Sequence, residues 1–524
     1  MQMSQPVSSV FSFWHKTFWA CAGLLLTAAC TGRAEQASQY ALTAEQQLQA
    51  GDLEAARRSI GEALAQRDDI PELHLLKGRI EVSAGSYESA FDSYVNALAL
   101  DNTNLEALQA VSQLGLRTGN LRESLDATER ILALQPGQPN ALVARGVHAL
   151  VQRRYRKSIE YADQVIAQQP GSEEASILKS RALFMIGEPA KALQVMETVQ
   201  SGGADTEGVA RTKLELHREM RNAEGMQAQF YRLRELLPLD PDLRVDEADL
   251  RLKLGKTEAS QELLVDLLSQ KGLGQESAST ALELLRNYSL QLSEADVQRI
   301  GESGSKASLI EVARHLIETK QVGSAEMILR KLRPDDARPL SARLEVLRGN
   351  PAMALRTAGR VLDRDESQCD ALTALAEAKL MLSQPSEALR SAQSAAAECP
   401  RRSEAWLAMA AAYSAQEDTA SVQRAYRDAV RANPQTLQLT MAYGDWLLAN
   451  NREREALAIA RTFTRKSPSL IKGWEYFRSL CARAGKACLA DASKGVADAR
   501  TRYGVDLELG KRPPGGLFGR LVRR

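Results

Sequence analysis

The sequence predicts an all-α protein, a right-handed superhelical solenoid of stacked antiparallel helix pairs. At 524 residues the chain is longer than one compact core usually organises, which favours several domains or an elongated repeat. Aromatic residues make up only 5% of a composition rich in alanine, leucine, arginine and glutamate, which suits helices with small residues at close contacts. The strongest observation is an internal repeat with a period of 34 residues, since such a period is typical of stacked helical units.

The repeat becomes visible when residues 37–274 are written in rows of 34, which align without a gap. The fifteenth column is mostly glycine, which supplies the left-handed residue that ends a helix. Five places later comes a column of mostly small residues, as expected where two helices cross closely. The fifteenth column holds Gly51, Gly85, Gly119, Arg153, Gly187, Arg221 and Gly255.

A second block of rows covers residues 335–504, and its fifteenth column holds Gly349, Ser383, Glu417, Asn451 and Gly485. Its clearest unit contains Trp406, Ala410, Tyr413, Tyr426, Ala429 and Pro434. A period of 34 residues with these columns resembles the tetratricopeptide repeat, and the unit just quoted matches the signature of that family. The resemblance implies about 14 helix pairs, which stack because one pair cannot bury its apolar face alone.

Residues 275–334 separate the two blocks and break the register. The segment is 60 residues long where two full rows need 68, so the register slips by eight. We therefore predict an N-terminal arm over residues 37–274, two degenerate units over 275–334 and a C-terminal arm over 335–504. Glycine and serine in the middle segment are compatible with a hinge and equally with two diverged repeats.

The family resemblance also implies where a protein partner binds. In this family the concave groove is lined by the second, fifth, ninth, twelfth and thirteenth residues of each unit. In the units that start at residues 139 and 173 these positions are unusually apolar, and arginines edge them, which suits carboxylates or an extended peptide. The alternative is that no partner binds there, because closure of the superhelix or the N-terminal segment itself covers this surface. The predicted groove residues are Leu75, Arg79, Leu116, Arg117, Val143, Val147, Leu150, Val151, Ile177, Arg181, Phe184 and Met185.

The first 29 residues have the pattern of a signal peptide. His15 and Lys16 precede an apolar run that is too short to span a bilayer. The run closes with Leu26-Thr27-Ala28-Ala29-Cys30, which resembles the lipobox of bacterial lipoproteins, although leucine is commoner than Thr27 at its position. The resemblance implies lipid attachment at Cys30, a short tether over residues 30–36 and sorting to the outer membrane. Ordinary secretory cleavage after Ala29 is the alternative.

Four further cysteines occupy related positions in two repeats. Cys369 and Cys399 are the first and thirty-first residues of one unit, and both ends of an antiparallel hairpin lie together, so a disulfide is geometrically plausible. Cys481 and Cys488 flank a turn in the last unit. Even pairing in an exported protein favours two disulfides. The alternatives are free buried thiols and a metal site, although the four cysteines lack the CxxC spacing that is usual for metal ligands.

No arrangement of residues that carries catalysis is recognisable. The histidines His74, His148, His217 and His315 lie in different units, without an HExxH pair or a phosphate-binding glycine loop. The formal net charge of +1, with acids and bases interspersed, argues against nucleic acid as a partner. We predict a non-enzymatic protein that needs no metal or cofactor.

Residues 505–524 form a basic tail rich in proline and glycine. It suits docking to an acidic partner or to lipid headgroups, and equally a disordered, solubilising end.

Two functions fit these features. The first is a lipid-anchored scaffold that faces the periplasm and binds protein partners, because the chain resembles the tetratricopeptide lipoproteins of exopolysaccharide export and of pilus or secretion assembly. The second is a soluble, chaperone-like periplasmic binder of extended polypeptides, which requires secretory cleavage without a lipid.

Overall fold

The computed structural model describes residues 32–199, 205–483 and 487–504. These residues form 28 α-helices and no β-strand, and consecutive helices pack against each other as hairpins. The predicted all-α solenoid of tetratricopeptide-type helix pairs is confirmed. Cys30 and the tail 505–524 lie outside the described residues. Residues 32–36 of the predicted tether over 30–36 are helical and belong to the first helix.

The chain divides into two compact units at Thr212 and Lys213. The first ten helices and the beginning of the eleventh belong to unit 1. They are α1 (32–49), α2 (Leu53–Gln66), α3 (Pro71–Ser83), α4 (Tyr87–Leu100), α5 (Leu105–Thr118), α6 (Leu121–Leu134), α7 (Pro139–Val151), α8 (Tyr155–Gln168), α9 (Glu173–Met185), α10 (Pro189–Glu197) and α11 (Glu207–Glu219).

Unit 2 begins within α11. Its further helices are α12 (Ala223–Leu236), α13 (Pro241–Lys253), α14 (Thr257–Leu268), α15 (Gln275–Asn287), α16 (Glu294–Ser303), α17 (Lys306–Glu318), α18 (Val322–Leu329), α19 (Pro334–Leu347), α20 (Pro351–Leu362), α21 (Cys369–Met381), α22 (Pro385–Glu398), α23 (Ser403–Ser414), α24 (Thr419–Ala432), α25 (Leu437–Ala449), α26 (Glu453–Lys466), α27 (Ile471–Arg483) and α28 (Leu489–Thr501).

In every unit whose turn lies within the described residues, the fifteenth position is left-handed whatever residue occupies it. Gly119 and Gly187 have φ of 89° and 86°, and Arg153 and Glu417 reach 60° and 58° in the same place. A side chain in this conformation costs about 1 kcal/mol relative to glycine. The hairpin geometry therefore dictates the backbone here, and the residue type only alters its energy.

The same conformation locates the register of the middle segment. Ser289 and Lys320 have φ of 58° and 60°, which makes them the fifteenth residues of units that start at Gln275 and Lys306. The two units are shorter than full units because their second helices are short: α16 has 10 residues and α18 has 8. Residues 275–334 are thus two shortened units inside a continuous apolar core that runs from Val245 to Leu344. A hinge at this segment stays a prediction.

The small-residue column is buried as expected from close helix crossing. Ala56, Ala90 and Ala456 are fully buried at its position. The last unit differs, because Ala490 is exposed and Ala492 takes the buried place. The second helix of that unit is therefore displaced by two residues relative to the sequence alignment.

The four cysteines of unit 2 are paired as disulfides. Cys369 is the first residue of α21 and Cys399 follows α22, with their Cα atoms 6.2 Å apart. Cys481 and Cys488 join the two helices of the last unit with a Cα separation of 5.5 Å. Each bridge closes one helix hairpin and so limits the freedom of the unfolded chain at that unit.

A buried polar network ties three helices of two consecutive repeats in unit 1 together. Ser124 on α6 donates from Oγ to the carbonyl of Ser112 at 2.6 Å, and its Oγ lies 3.0 Å from Nε2 of His148 on α7. Burial, assisted by the charge of Arg145, lowers the pKa of His148 to about 4. The imidazole is therefore neutral in the folded protein at neutral pH.

Arg153→Gly should raise the free energy of unfolding by about 1 kcal/mol, because glycine adopts the left-handed conformation without strain. Gly187→Arg at the equivalent turn should lower it by a similar amount. Urea unfolding followed by circular dichroism measures both. Equal midpoints for both variants and the wild type would contradict the strain argument.

Acid should destabilise unit 1 through His148. As pH falls below about 6.5, the unfolded histidine gains a proton that the folded one takes up only near pH 4. This linkage removes about 1.4 kcal/mol per pH unit within that window, which amounts to about 2 kcal/mol at pH 5.

The measurement is urea unfolding between pH 7 and 4 for the wild type and His148→Gln, which should show a smaller slope of stability against pH. Ser124→Ala is the control, because it removes the same hydrogen bond but keeps the histidine and hence the slope. Identical slopes for the wild type and His148→Gln would contradict the linkage.

Candidate functional site

The residues of the predicted groove in unit 1 fall into three classes of exposure. The buried ones pack between α3, α5, α7 and α9, so most of the predicted apolar floor is part of the core. Leu75, Val143, Val147, Leu150, Ile177 and Arg181 are buried; Leu116, Val151 and Phe184 are half-buried, and Arg79, Arg117 and Met185 are exposed.

The exposed arginines of this groove have partners within the chain. Arg79 on α3 makes a two-pronged ion pair with Glu106 on α5, at 2.7 Å and 2.5 Å. The guanidinium of Arg117 lies 3.5 Å above the ring centre of Tyr87. Binding of a partner's carboxylate by Arg79 would therefore compete with Glu106.

An apolar edge remains accessible at the C-terminal end of α9. Phe184 is half-buried, and Met185 and the following Ile186 are exposed by 37% and 39%. We call Phe184, Met185 and Ile186 the α9 edge. Phe184 and Met185 belong to the predicted groove and Ile186 was not predicted. A partner can reach this edge without unfolding the repeat, and its role in binding stays a prediction.

Unit 2 contains a polar cavity made of two adjoining chambers of about 550 and 640 Å³. Both volumes lie in the range of ligand-binding sites. One wall is formed by α15 and α17, and the other by residues of α23, α25 and α27. The residues that define this unit 2 cavity are Glu283, Arg286, His315, Glu318, Arg402 and Glu404.

A buried ion network forms the floor of the cavity. Arg314 donates to Asp370 at 2.7 Å and 3.1 Å and pairs with Glu311 at 2.6 Å. Arg402 reaches Glu311 from the opposite wall at 2.9 Å. Burial alone would lower the pKa of Arg314, but Asp370 and Glu311 outweigh it and raise that pKa. Removing one partner of such a buried network typically costs about 3–5 kcal/mol.

Two carboxyl groups of the cavity are hydrogen-bonded to each other and lie near three arginines, Arg286, Arg343 and Arg402. Arg286 on α15 donates to Glu318 on α17 at 2.9 Å, and Glu318 is also hydrogen-bonded to Glu404. Burial and the neighbouring charge of Glu404 raise the pKa of Glu318. Repulsion between two such groups favours one proton held by the pair.

His315 is a buried side chain with one nitrogen unused. Its exposure is 1%, and Nδ1 lies 3.5 Å from the guanidinium of Arg286. A guanidinium only donates hydrogen bonds, which assigns the proton of the neutral ring to Nε2. Burial, with the charge of Arg286, lowers the pKa of His315 to about 3. Nε2 has no hydrogen-bond partner among the described residues.

The cavity residues on α15 and α17 were missed because the register of the middle segment was not known. Once the units are started at Gln275 and Lys306, Glu283 and Arg314 fall at ninth positions and Glu318 at a thirteenth, which are groove positions. The signal that identifies the register is a left-handed residue, and Ser289 and Lys320 do not reveal it by type. His315, a tenth residue, has no such signal in the sequence.

The described part of the chain contains no group of three His, Cys, Asp or Glu side chains that could hold a metal ion. Within the same ranges, no helix has the length and apolar character needed to cross a membrane.

A family model matches the N-terminal part of the chain. Residues 42–104, 112–173 and 143–205 match the tetratricopeptide repeat model. Among curated proteins, no sequence matches this chain.

Several solved structures are similar over part or most of the chain. PilF of Pseudomonas aeruginosa is 18% identical, with 40% of this chain and 94% of that chain covered and a TM-score of 0.32. PilW, a type IV pilus biogenesis factor, is 18% identical over 38% of this chain and 94% of its own, with a TM-score of 0.34. A chain in the structure of Naa15/Naa10 bound to HypK-THB is 16% identical, with 88% of this chain and 75% of that chain covered and a TM-score of 0.29.

The matched segments and the helix pairs agree with the columns of the sequence. The repeats, with left-handed turns at their fifteenth positions, build a scaffold of the kind that serves protein–protein interaction. Residues 42–104 and 112–205 therefore carry tetratricopeptide repeats, and the described helix pairs of the rest of the chain are consistent with the same kind of solenoid.

Proposed function

We propose that this chain is a non-enzymatic, lipid-anchored scaffold that holds protein partners of a bacterial envelope machine on the periplasmic face of the outer membrane. The sequence Leu26-Thr27-Ala28-Ala29-Cys30 supports the anchor. The class of machine, exopolysaccharide export or pilus and secretion assembly, follows from the resemblance to tetratricopeptide lipoproteins.

The observation that carries the proposal is the short stretch of sequence between Cys30 and the first described helix. Helix α1 is present from residue 32 onward, two positions after Cys30 in the sequence. Acyl chains at this position would hold unit 1 close to the membrane surface. Such an anchor suits a scaffold that collects partners at the membrane better than a freely diffusing chaperone.

The chaperone-like alternative draws on the α9 edge. Exposed Met185 and Ile186 provide an adaptable apolar surface that suits many extended chains. This function needs secretory cleavage without a lipid, so the chemistry of the N-terminus separates the two proposals.

Mass spectrometry of the mature N-terminus should find Cys30 acylated in membranes of the native bacterium. Cys30→Ala should move the protein from the membrane to the periplasmic fraction, because the thiol that carries the lipid is absent. Cys369→Ala/Cys399→Ala is the matched control, since it removes two cysteines but keeps Cys30. An unmodified N-terminus in the soluble fraction would favour the chaperone-like binder.

Phe184→Gln/Met185→Gln should weaken the capture of partners by about fivefold or more, the equivalent of ~1 kcal/mol from an apolar contact residue. The readout is the yield of chemically cross-linked partners in membranes, with circular dichroism to confirm the helices. Leu134→Gln is the control, because Leu134 on α6 is 59% exposed and lies outside the predicted groove. An unchanged pattern of cross-links would remove the α9 edge from the proposal.

A further inference from the structure

The last described residues of unit 2 return to the first helices of the same unit. Lys253 on α13 donates from Nζ to the carbonyl of Arg502 at 2.6 Å, and the N–H of Gly504 donates to Asp249 at 2.8 Å. These partners are 249 and 255 residues apart in the sequence. We call residues 502–504, which directly follow α28, the strap.

The seat of the strap lies on the groove side of α13. In the unit that starts at Pro241, Asp249 and Lys253 are the ninth and thirteenth residues, which are groove positions. Their side chains form an ion pair at 2.9 Å and are only 5% and 1% exposed. Tyr503 and Gly504 are buried as well. A segment of this chain therefore occupies the groove of that unit.

The contacts of the seat suit an extended polypeptide with an aromatic side chain. Lys253 and Asp249 bind a carbonyl and an N–H of the main chain, groups that nearly every peptide offers. Tyr503 is the one buried side chain of the strap, and a buried aromatic anchor typically carries much of the affinity of an interface. Main-chain hydrogen bonds combined with a side-chain anchor are the usual chemistry of peptide recognition.

The end of α28 beside the strap is held by exposed contacts. Arg221 donates to Asp498 at 3.3 Å and to the hydroxyl of Thr501 at 3.0 Å, and such exposed ion pairs contribute little to stability. The disulfide between Cys481 and Cys488 joins α27 to the beginning of α28. The strap can therefore leave its seat while α28 stays on α27.

The seat keeps its internal contacts when the strap leaves. Asp249 retains the ion pair with Lys253 and the hydrogen bond from the hydroxyl of Tyr288 at 3.1 Å, so neither charge is left unpaired. Asp249 and Tyr288 also line the chamber of about 550 Å³, which gives an incoming segment room beyond the three residues of the strap.

We propose that the strap is an autoinhibitory contact: residues 502–504 occupy in cis a groove on α13 that binds an extended polypeptide with an aromatic side chain from a partner of the scaffold. The partner segment and the strap compete for the same ammonium, carboxylate and aromatic seat, so binding of one releases the other. This inference rests on the proposed scaffold function, for which it names the chemistry of a partner.

The test is calorimetry at pH 7 on the mature chain with both disulfides intact. The probe is an acetylated and amidated peptide of residues 499–504, and a second peptide has alanine in place of Tyr503. Tyr503→Ala/Gly504→Pro releases the strap, because it removes the anchor and the N–H donor but keeps every residue of the seat. This variant should bind one peptide per chain about tenfold or more tightly than the wild type, in which the strap competes.

Two further comparisons separate the seat from the fold. In the strap-released chain, Asp249→Asn/Lys253→Met should weaken peptide binding about tenfold or more, with circular dichroism to confirm the helices. If that chain does not fold, the alanine peptide makes the same comparison on the folded strap-released chain. Arg500→Ala in the wild type is the matched control, because Arg500 is exposed at the end of α28 and takes part in none of the contacts above.

Hydrogen exchange followed by mass spectrometry reports on the strap itself. The N–H of Gly504 is hydrogen-bonded to Asp249, so it should exchange slowly in the wild type. Saturating peptide should speed deuterium uptake by residues 502–504 of the wild-type chain, because the displaced strap loses this bond.

Tighter binding by the strap-released variant, a loss of affinity for the alanine peptide and faster exchange of the displaced strap support the inference. Equal affinity of the variant and the wild type, equal affinity for both peptides, unchanged exchange or no binding at all overturns it and leaves the strap as part of the fold. Dimers of the wild type that Tyr503→Ala/Gly504→Pro dissociates also overturn it, since the strap would then belong to a second copy. None of these outcomes alters acylation of Cys30 or capture through the α9 edge, so the scaffold proposal fails or stands on its own tests.

Discussion

The rest of this structure depends on one backbone conformation, the left-handed residue that ends the first helix of each unit. It turns the chain so that the second helix crosses the first at the small-residue column, where Ala56 and Ala90 are completely buried. The burial outweighs the strain, because Arg153 and Glu417 keep the conformation without being glycine. A penalty of about 1 kcal/mol is small beside the apolar surface that two stacked hairpins remove from water.

The sequence predicted the class of fold and the register of twelve units because these follow from local rules of helix ending and helix crossing. It did not predict the register of residues 275–334, where α16 and α18 are short and serine and lysine occupy the turns. Nor did it predict the displaced second helix of the last unit, in which Ala492 replaces Ala490 in the core. Both depend on packing against neighbours.

The candidate surfaces were harder to predict for a related reason. A groove position gives the side on which a residue lies, but its exposure depends on the rotation between successive units, which no single unit specifies. Val147 and Phe184 both occupy groove positions, yet Val147 is completely buried and Phe184 is half-buried. The buried position of Ile177 follows from the same stacking.

The two units offer partners different kinds of contact. The α9 edge of unit 1 is apolar and adaptable, and such a surface contributes affinity with little discrimination. The unit 2 cavity instead holds carboxyl groups balanced by buried arginines: Arg286 and Arg343 act on Glu318, and Arg343 and Arg402 act on Glu404. A ligand that displaced one of these arginines would leave a carboxyl group unpaired at the full cost of its desolvation. Because such polar mismatches discriminate more strongly than apolar ones, a contact at the cavity would be more selective than a contact at the α9 edge.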